Sequence, residues 1–298
     1  MTGIYKECNL CPRECGVDRS ISTGFCKSGD KLKVARAALH YWEEPCISGK
    51  YGSGTVFFSG CNLKCCFCQN YNISSDCFGK EISIERLGDI FLELQDKGAN
   101  NINLVTAVQY IPSIIMALDN VKHKLYIPVV YNSGGYEIIS TLDILKDYVD
   151  IYLPDIKYFD MELSKRYSVA EDYFEKASKA VLKMIDNAGK LKFNDKGIMQ
   201  RGVIVRHMVL PSCYKDSIKI LNWIKENLPE DKFLISLMSQ YTPFYKACDY
   251  PEINRRVTTY EYNKVVDEAL RLGLDRGFIQ EKSSAKEEYT PPFDLEGV

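Results

Sequence analysis

From Ser83 to Met238 the chain alternates short β-branched or aromatic runs with longer stretches whose apolar residues recur at helical spacing. Ser83 stands where it can cap a helix with Ile84, Leu87, Phe91 and Leu94 on one face. Strands are expected at Thr55–Ser59, Asn101–Thr106, Tyr126–Tyr131, Val149–Leu153, within Ile198–Leu210 and at Phe233–Met238. Helices are expected between them at Ser113–Val121, Glu137–Asp147, Ala170–Ala188 and Tyr214–Asn227. Six βα units in a row predict a parallel sheet with helices outside. At 298 residues and 46% hydrophobic content the chain can bury such a core, and the economical closure is an α/β partial (β/α)6 TIM-like barrel. Three parts follow: a Cys-rich metal-binding extension over residues 1–53, the barrel over 54–245, and a C-terminal helix and arm over 246–298 packed on the barrel. In the last part Thr258–Leu272 reads as an amphipathic helix with a Thr258/Glu261 capping box, and Gly277–Gln280 as a short strand. Ser283–Val298 reads as an extended arm that covers the barrel or docks a partner.

The first strand runs straight into four cysteines, Cys61, Cys65, Cys66 and Cys68. Cys61, Cys65 and Cys68 form a C-x3-C-x2-C loop too tight for three separate structural purposes, and soft thiolates this close select zinc or iron–sulfur. Three ligands to a four-iron cluster leave one iron open, as a reaction centre requires. Cys66 makes a strained fourth ligand, because adjacent side chains in extended backbone point apart. Cys8, Cys11, Cys15 and Cys26 form a second group, with Pro12, Gly16 and Gly24 supplying turns. They suit a structural zinc, a second iron–sulfur cluster acting as an electron relay, or four free core thiols. Most of the 12 cysteines fall in these metal-type spacings and no export signal precedes them, so reduced thiols in a cytoplasm are expected. The formal net charge of -2 carries no footprint for nucleic acid or an anionic membrane, and no apolar run is long enough to span a bilayer.

Barrels of this kind place reactive groups at the C-terminal ends of their strands. Asp155 and Lys157, two apart on extended chain, project to one side and can reach one ligand, or else form an exposed ion pair. Arg206 and His207 alternate to opposite faces, leaving His207 a structural role. Glu43, Glu44 and Cys46, just before the first strand, either face the site or belong to a solvated linker.

The cysteine loop resembles the signature of radical S-adenosylmethionine (radical SAM) enzymes, C-x3-C-x-aromatic-C, with Phe67 as the aromatic residue and Cys66 as the variable position. The C-x2-C-P-R-x-C-G head, H-Y-W-E-E-P and R-G-V-I-V-R-H extend the likeness to a branch similar to pyruvate formate-lyase activating enzyme. The resemblance implies a 4Fe-4S cluster on Cys61, Cys65 and Cys68, and S-adenosylmethionine completing the fourth iron. Reductive cleavage of its sulfonium gives a 5'-deoxyadenosyl radical that abstracts hydrogen. It further implies cofactor contacts from Asp155, Lys157, Asn132 and Ser133. Gln240 stands where activating enzymes carry a histidine near the adenosine. Thr106 and Gln109 stand where the family carries Gly-Gly-Glu, which this chain lacks. Arg206 matches a catalytic-site arginine that meets the substrate. The implied partners are a protein or peptide substrate, such as a glycyl-radical enzyme, and a flavodoxin- or ferredoxin-type reductant. The alternatives are a radical SAM enzyme acting on a small metabolite, and an iron–sulfur electron carrier or scaffold without S-adenosylmethionine chemistry.

Overall fold

A computed structural model describes residues 2–280 and 290–298 of the chain. Ten strands are present among them: β1 (Leu32–His40), β2 (Ser53–Phe58), β3 (Lys80–Ile82), β4 (Ile102–Val105), β5 (Val129–Ser133), β6 (Ile151–Pro154), β7 (Lys192–Phe193), β8 (Met199–Met208), β9 (Phe233–Met238) and β10 (Gly277–Ile279). The sheet order is β10-β9-β8-β6-β5-β4-β2-β1-β3, with β7 paired to β8 off this path. Neighbours from β2 to β10 along that order run parallel, whereas β1 pairs antiparallel with both β2 and β3. The sheet ends in β3 on one side and β10 on the other, so it is an open, partial barrel.

The central strands are short and buried along their length; every residue of β2, β4, β5 and β6 is buried. Such continuous apolar runs belong to strands covered on both faces, here by the barrel interior and by helices outside. The helix Ile84–Asp96 begins as the sequence predicts, with the Ser83 hydroxyl accepting from the Arg86 amide, and buries Leu87, Ile90, Phe91 and Leu94. These side chains join Leu104, Ile114, Val181, Val205 and Ile220 in the main core between sheet and helices. The Thr258/Glu261 capping box also forms, at the start of the helix Thr259–Arg271.

Three differences from the sequence expectation have local causes. The strand expected at Tyr126–Tyr131 begins only at Val129: Tyr126 is 80% exposed, and Pro128 has no amide to give a ladder. The helix expected from Ala170 starts at Tyr173, and a separate helix, Met161–Ser168, precedes it. Asp160 caps that helix, and Val169 ends it in a left-handed conformation with φ of 54°. Finally, Leu32–His40, within the extension expected over residues 1–53, is a strand of the sheet; alanines and charges carry no strand pattern there, and tertiary pairing creates it.

Of the arm expected over Ser283–Val298, residues 283–289 lie outside the described residues. The end of the arm runs along β1: the Ala37 amide donates to the Glu296 carbonyl, and the Leu295 amide to Ala35. Arg36 holds Asp294 and Glu296, and Phe293 packs edge-on against Phe57.

Candidate active site

Strand β2 delivers its chain to Gly60 and then to the cysteine loop. Gly60 has φ of 86°, and a Cβ there would lie 2.2 Å from the Ser28 hydroxyl and 2.7 Å from the Cys26 carbonyl, so only glycine fits. Each loop thiol is backed by a donor: Leu63 amide to Cys61 Sγ at 3.4 Å, Ser168 hydroxyl to Cys65 Sγ at 3.0 Å, and Ser74 hydroxyl to Cys68 Sγ at 3.3 Å. Burial pushes the Cys61 thiol up to about 12 and raises Cys68 as well, so a bare thiolate is unfavourable there and a bound cation is needed to keep one. Cys66 differs. It is buried in an apolar cluster with Leu63, Phe67, Tyr158 and Tyr241, against which Cys61 and Cys65 also pack, and it does not line the cavity beside the loop.

Cys65, Phe67 and Cys68 line a cavity of about 230 Å3. Asp155, Lys157 and Arg206 line it from the ends of β6 and β8, and Asn132 from β5. His40, Trp42, Glu43 and, from the arm, Pro291 also line it. Gln240 lies on the rim, its side-chain oxygen accepting from Gln280 at 3.3 Å.

The charged groups form one buried network. The Arg206 guanidinium donates to Asp155 Oδ1 at 2.9 Å, Asn132 Oδ1 at 2.6 Å and Glu43 Oε2 at 3.2 Å. Lys157 donates to the second Asp155 oxygen at 2.5 Å. Burial alone would raise the Asp155 carboxyl, but Arg206 and Lys157 hold it below its ordinary value. For Lys157 burial opposes the charge, yet Asp155 keeps it above the ordinary lysine range. Asp155 and Lys157 are thus a sequestered pair on a cavity wall rather than an exposed one. Glu43 and Glu44 are not linker acids in solvent: burial raises both, with Arg206 acting in opposition.

Other candidates stand elsewhere. The Gln109 amide is turned beneath the loop, donating to the carbonyls of Ser59, Gly60 and Thr106. Thr106, with φ of 56°, is tied by its own amide to the Asn132 carbonyl and does not line the cavity. Ser133 alternates away from Asn132 and accepts from the Gly135 amide at 3.2 Å. His207 points opposite to Arg206, its Nδ1 bonded at 2.6 Å to the Ile156 carbonyl. Glu43 is the member of the network whose place the sequence left open; the H-Y-W-E-E-P run before β2 was its only signal.

The head packs directly on the reactive loop, with Arg13 Nε donating to the Asn62 carbonyl at 2.9 Å. Cys8, Cys11, Cys15 and Cys26 line one small cavity of about 20 Å3 together with Arg13, Arg19 and Asn62. The Phe25 amide donates to Cys15 Sγ at 3.3 Å, and Gly24 leaves room for the Cys15 and Cys26 sulfurs. Among the described residues, no three Cys, His, Asp or Glu side chains stand ready to hold a single metal ion. Soft thiolates on one short loop, each backed by a donor, are the ligand chemistry that an iron–sulfur cluster takes.

Residues 55–224 match the Radical SAM superfamily. The chain belongs to that superfamily. Radical SAM enzymes cleave S-adenosylmethionine with an iron–sulfur cluster. An uncharacterized protein of Methanocaldococcus jannaschii is 34% identical over 284 residues, covering 91% of this chain and 77% of its own. The pyruvate formate-lyase-activating enzyme of Clostridium pasteurianum is 27% identical over 183 residues, 58% of this chain and 69% of that one. Among solved structures, Streptococcus suis SuiB bound to precursor peptide SuiA aligns with a TM-score of 0.51 at 15% identity, which shows a common radical SAM fold. The alignment covers 74% of this chain and 46% of SuiB, so this chain spans about half the length of that neighbour. Among the described residues no helix is long and apolar enough to cross a membrane.

Proposed function

We propose that Cys61, Cys65 and Cys68 hold a 4Fe-4S cluster whose open iron takes S-adenosylmethionine, and that the enzyme abstracts hydrogen from a protein or peptide, as an activating enzyme does. One observation carries this: the thiol loop and the Asp155–Lys157 pair stand on the walls of one cavity, so a molecule bound to the loop meets both. The cluster and cofactor, when bound, supply a 5'-deoxyadenosyl radical. Lys157 and Asp155 bind and orient the cofactor's carboxylate and ribose, Asn132 and Gln240 add hydrogen bonds, and Arg206 holds Asp155, Asn132 and Glu43 in register around the reacting space. Thr106, Gln109 and Ser133 act one step back: Gln109 ties Gly60 and Thr106 together, and Ser133 shapes the turn after β5. Membership of an enzyme superfamily leaves little motive for a pure electron carrier. The likeness to an activating enzyme and to a structure solved with a precursor peptide supports a macromolecular substrate. A flavodoxin- or ferredoxin-type protein is the proposed reductant, and the cytoplasm the proposed location.

The four head cysteines are proposed to hold one metal centre. A structural zinc and a second iron–sulfur cluster both suit four soft thiolates, and metal analysis of the anaerobically purified protein distinguishes one zinc from about four irons. Arg13 and Arg19 on the walls of their cavity offset the charge of four thiolates.

The substrate class is tested by incubating the reduced, cluster-loaded enzyme and S-adenosylmethionine with perdeuterated cell extract separated by size. Deuterium in 5'-deoxyadenosine from the macromolecular fraction supports the proposal. Deuterium from the small-molecule fraction alone supports a metabolite substrate instead.

A further inference from the structure

The two loop thiols that line the cavity, Cys65 and Cys68, each accept from a buried hydroxyl, whereas Cys61, which does not line it, accepts from the Leu63 amide. The hydroxyls belong to Ser168, fully buried, and Ser74, 7% exposed. Neither serine lines the cavity, so each reaches the site through a sulfur. A serine at a helix end usually gives its proton to a backbone carbonyl; both of these give it to sulfur.

Ser168 is held from two sides. It ends the helix Met161–Ser168, and the Cys66 amide donates to the neighbouring Tyr167 carbonyl at 2.8 Å. Arg13 of the head reaches the same turn, donating to the Val169 carbonyl at 2.6 Å while its Nε holds the Asn62 carbonyl beside Cys61. Tyr158, only 1% exposed, places its phenol oxygen 2.7 Å from Ser168 Oγ. A hydroxyl has one proton to give. Ser168 gives its own to Cys65 Sγ, so the Tyr158 O–H donates to Ser168 Oγ, and the three groups form a chain in which each bond polarises the next. Ser74 ends the short helix Tyr71–Ser74; its amide donates to the Asn70 carbonyl at 2.9 Å, and its own carbonyl accepts from Lys64 at 3.1 Å.

A thiolate bound to iron carries no proton and can only accept, which fixes the direction of both bonds to sulfur. Adding an electron to a cluster makes its sulfur ligands more negative, and a hydrogen bond strengthens with the charge on its acceptor. Donors to ligand sulfur therefore favour the reduced state and raise the potential.

We propose that Ser168 and Ser74 are positioning residues that raise the reduction potential of the iron–sulfur cluster on the loop, with Tyr158 strengthening the bond from Ser168. The inference rests on the reading that Cys61, Cys65 and Cys68 hold that cluster, and it gives three residues outside the cavity a part in its reduction.

The test is an anaerobic potentiometric titration of the cluster-loaded protein, followed through the reduced-cluster EPR signal that Cys65→Ala protein lacks, beside iron and sulfide analysis. Ser168→Ala and Ser74→Ala are each expected to lower the midpoint by a roughly tenfold shift in the reduction equilibrium, about 59 mV for one electron, with iron content unchanged. Tyr158→Phe, which keeps the ring, is expected to give a smaller shift of the same sign. Ser168→Ala leaves the Tyr158 hydroxyl without its acceptor, so the double variant with Tyr158→Phe, which removes both groups, is measured beside it and is expected to show the same shift. Wild-type potentials in iron-replete Ser74→Ala and in either Ser168 variant, or loss of iron from them in place of a shift, would overturn the inference and leave the cluster reading intact. Absence of a loop-dependent signal from wild-type protein would contradict the cluster reading itself, and this inference with it.

Discussion

Both carboxylate oxygens of Asp155 are taken, one by Arg206 and one by Lys157, so the residue can serve a cofactor only as part of that arrangement. Charge-assisted contacts of this kind contribute about 1.5–3 kcal/mol each, roughly a tenfold to hundredfold change in affinity. Asp155→Asn and Lys157→Met are therefore expected each to weaken S-adenosylmethionine binding by about that factor while iron and sulfide content stay unchanged, as read by anaerobic calorimetry beside metal analysis. His207 makes a separate residue-scale prediction. It is buried, its Nε2 has no partner, and burial lowers it to about 4. The unfolded chain takes up this proton as pH falls through about 6.5, whereas the folded chain resists to about 4, so stability is lost on acidification across that window. Between pH 7 and 5 the loss is about 2 kcal/mol from this histidine. Urea midpoints at the two pH values should show a smaller difference in His207→Gln, with His40, lowered by burial and then by Arg36, supplying part of what remains. Alternation along β8 made the opposite facing of Arg206 and His207 legible in the sequence. The placement of Gln109 was not legible, because it depends on a 3-10 turn, Val108–Tyr110, that folds its amide back under the loop.

Among elements, the joint between head and β2 matters most to the site. Gly60 closes against Ser28 and the Cys26 carbonyl one residue before Cys61. Gly60→Ala places a methyl on backbone that cannot yield, so it is expected to lower iron retention at the loop, measured as iron per chain after anaerobic reconstitution. The helix Thr259–Arg271 offers a milder contrast, since none of its residues lines the cavity. The Glu261 carboxylate there accepts from the Thr258 and Ser212 amides and pairs with Arg255. Thr258→Ala should cost about 1 kcal/mol of stability, seen as a lower urea midpoint with unchanged cluster content. Helices with caps and strands buried on both faces were the readable elements. Strand β1 was not, because its Lys33, Arg36 and alanines become a strand only through pairing with β2 and β3 and the arm lying along it.

At the scale of the whole molecule, the alternating pattern from Ser83 onward was sufficient for a parallel, partial barrel, since each central strand keeps its own apolar run. The cavity was only half legible. Its strand-end lining follows from the barrel pattern, whereas His40, Trp42 and Glu43 come from before the barrel and Pro291 from the far end of the chain. Long-range closure of that kind leaves no local period to read. The central claim is that one loop of three cysteines makes the chain a radical enzyme. It is tested most directly by measuring 5'-deoxyadenosine from reduced, reconstituted protein with S-adenosylmethionine, in wild type and in single Cys61→Ala, Cys65→Ala, Cys66→Ala and Cys68→Ala variants. Product is expected from wild type and Cys66→Ala and from none of the other three; product without Cys65, or its loss in Cys66→Ala alone, would contradict the account.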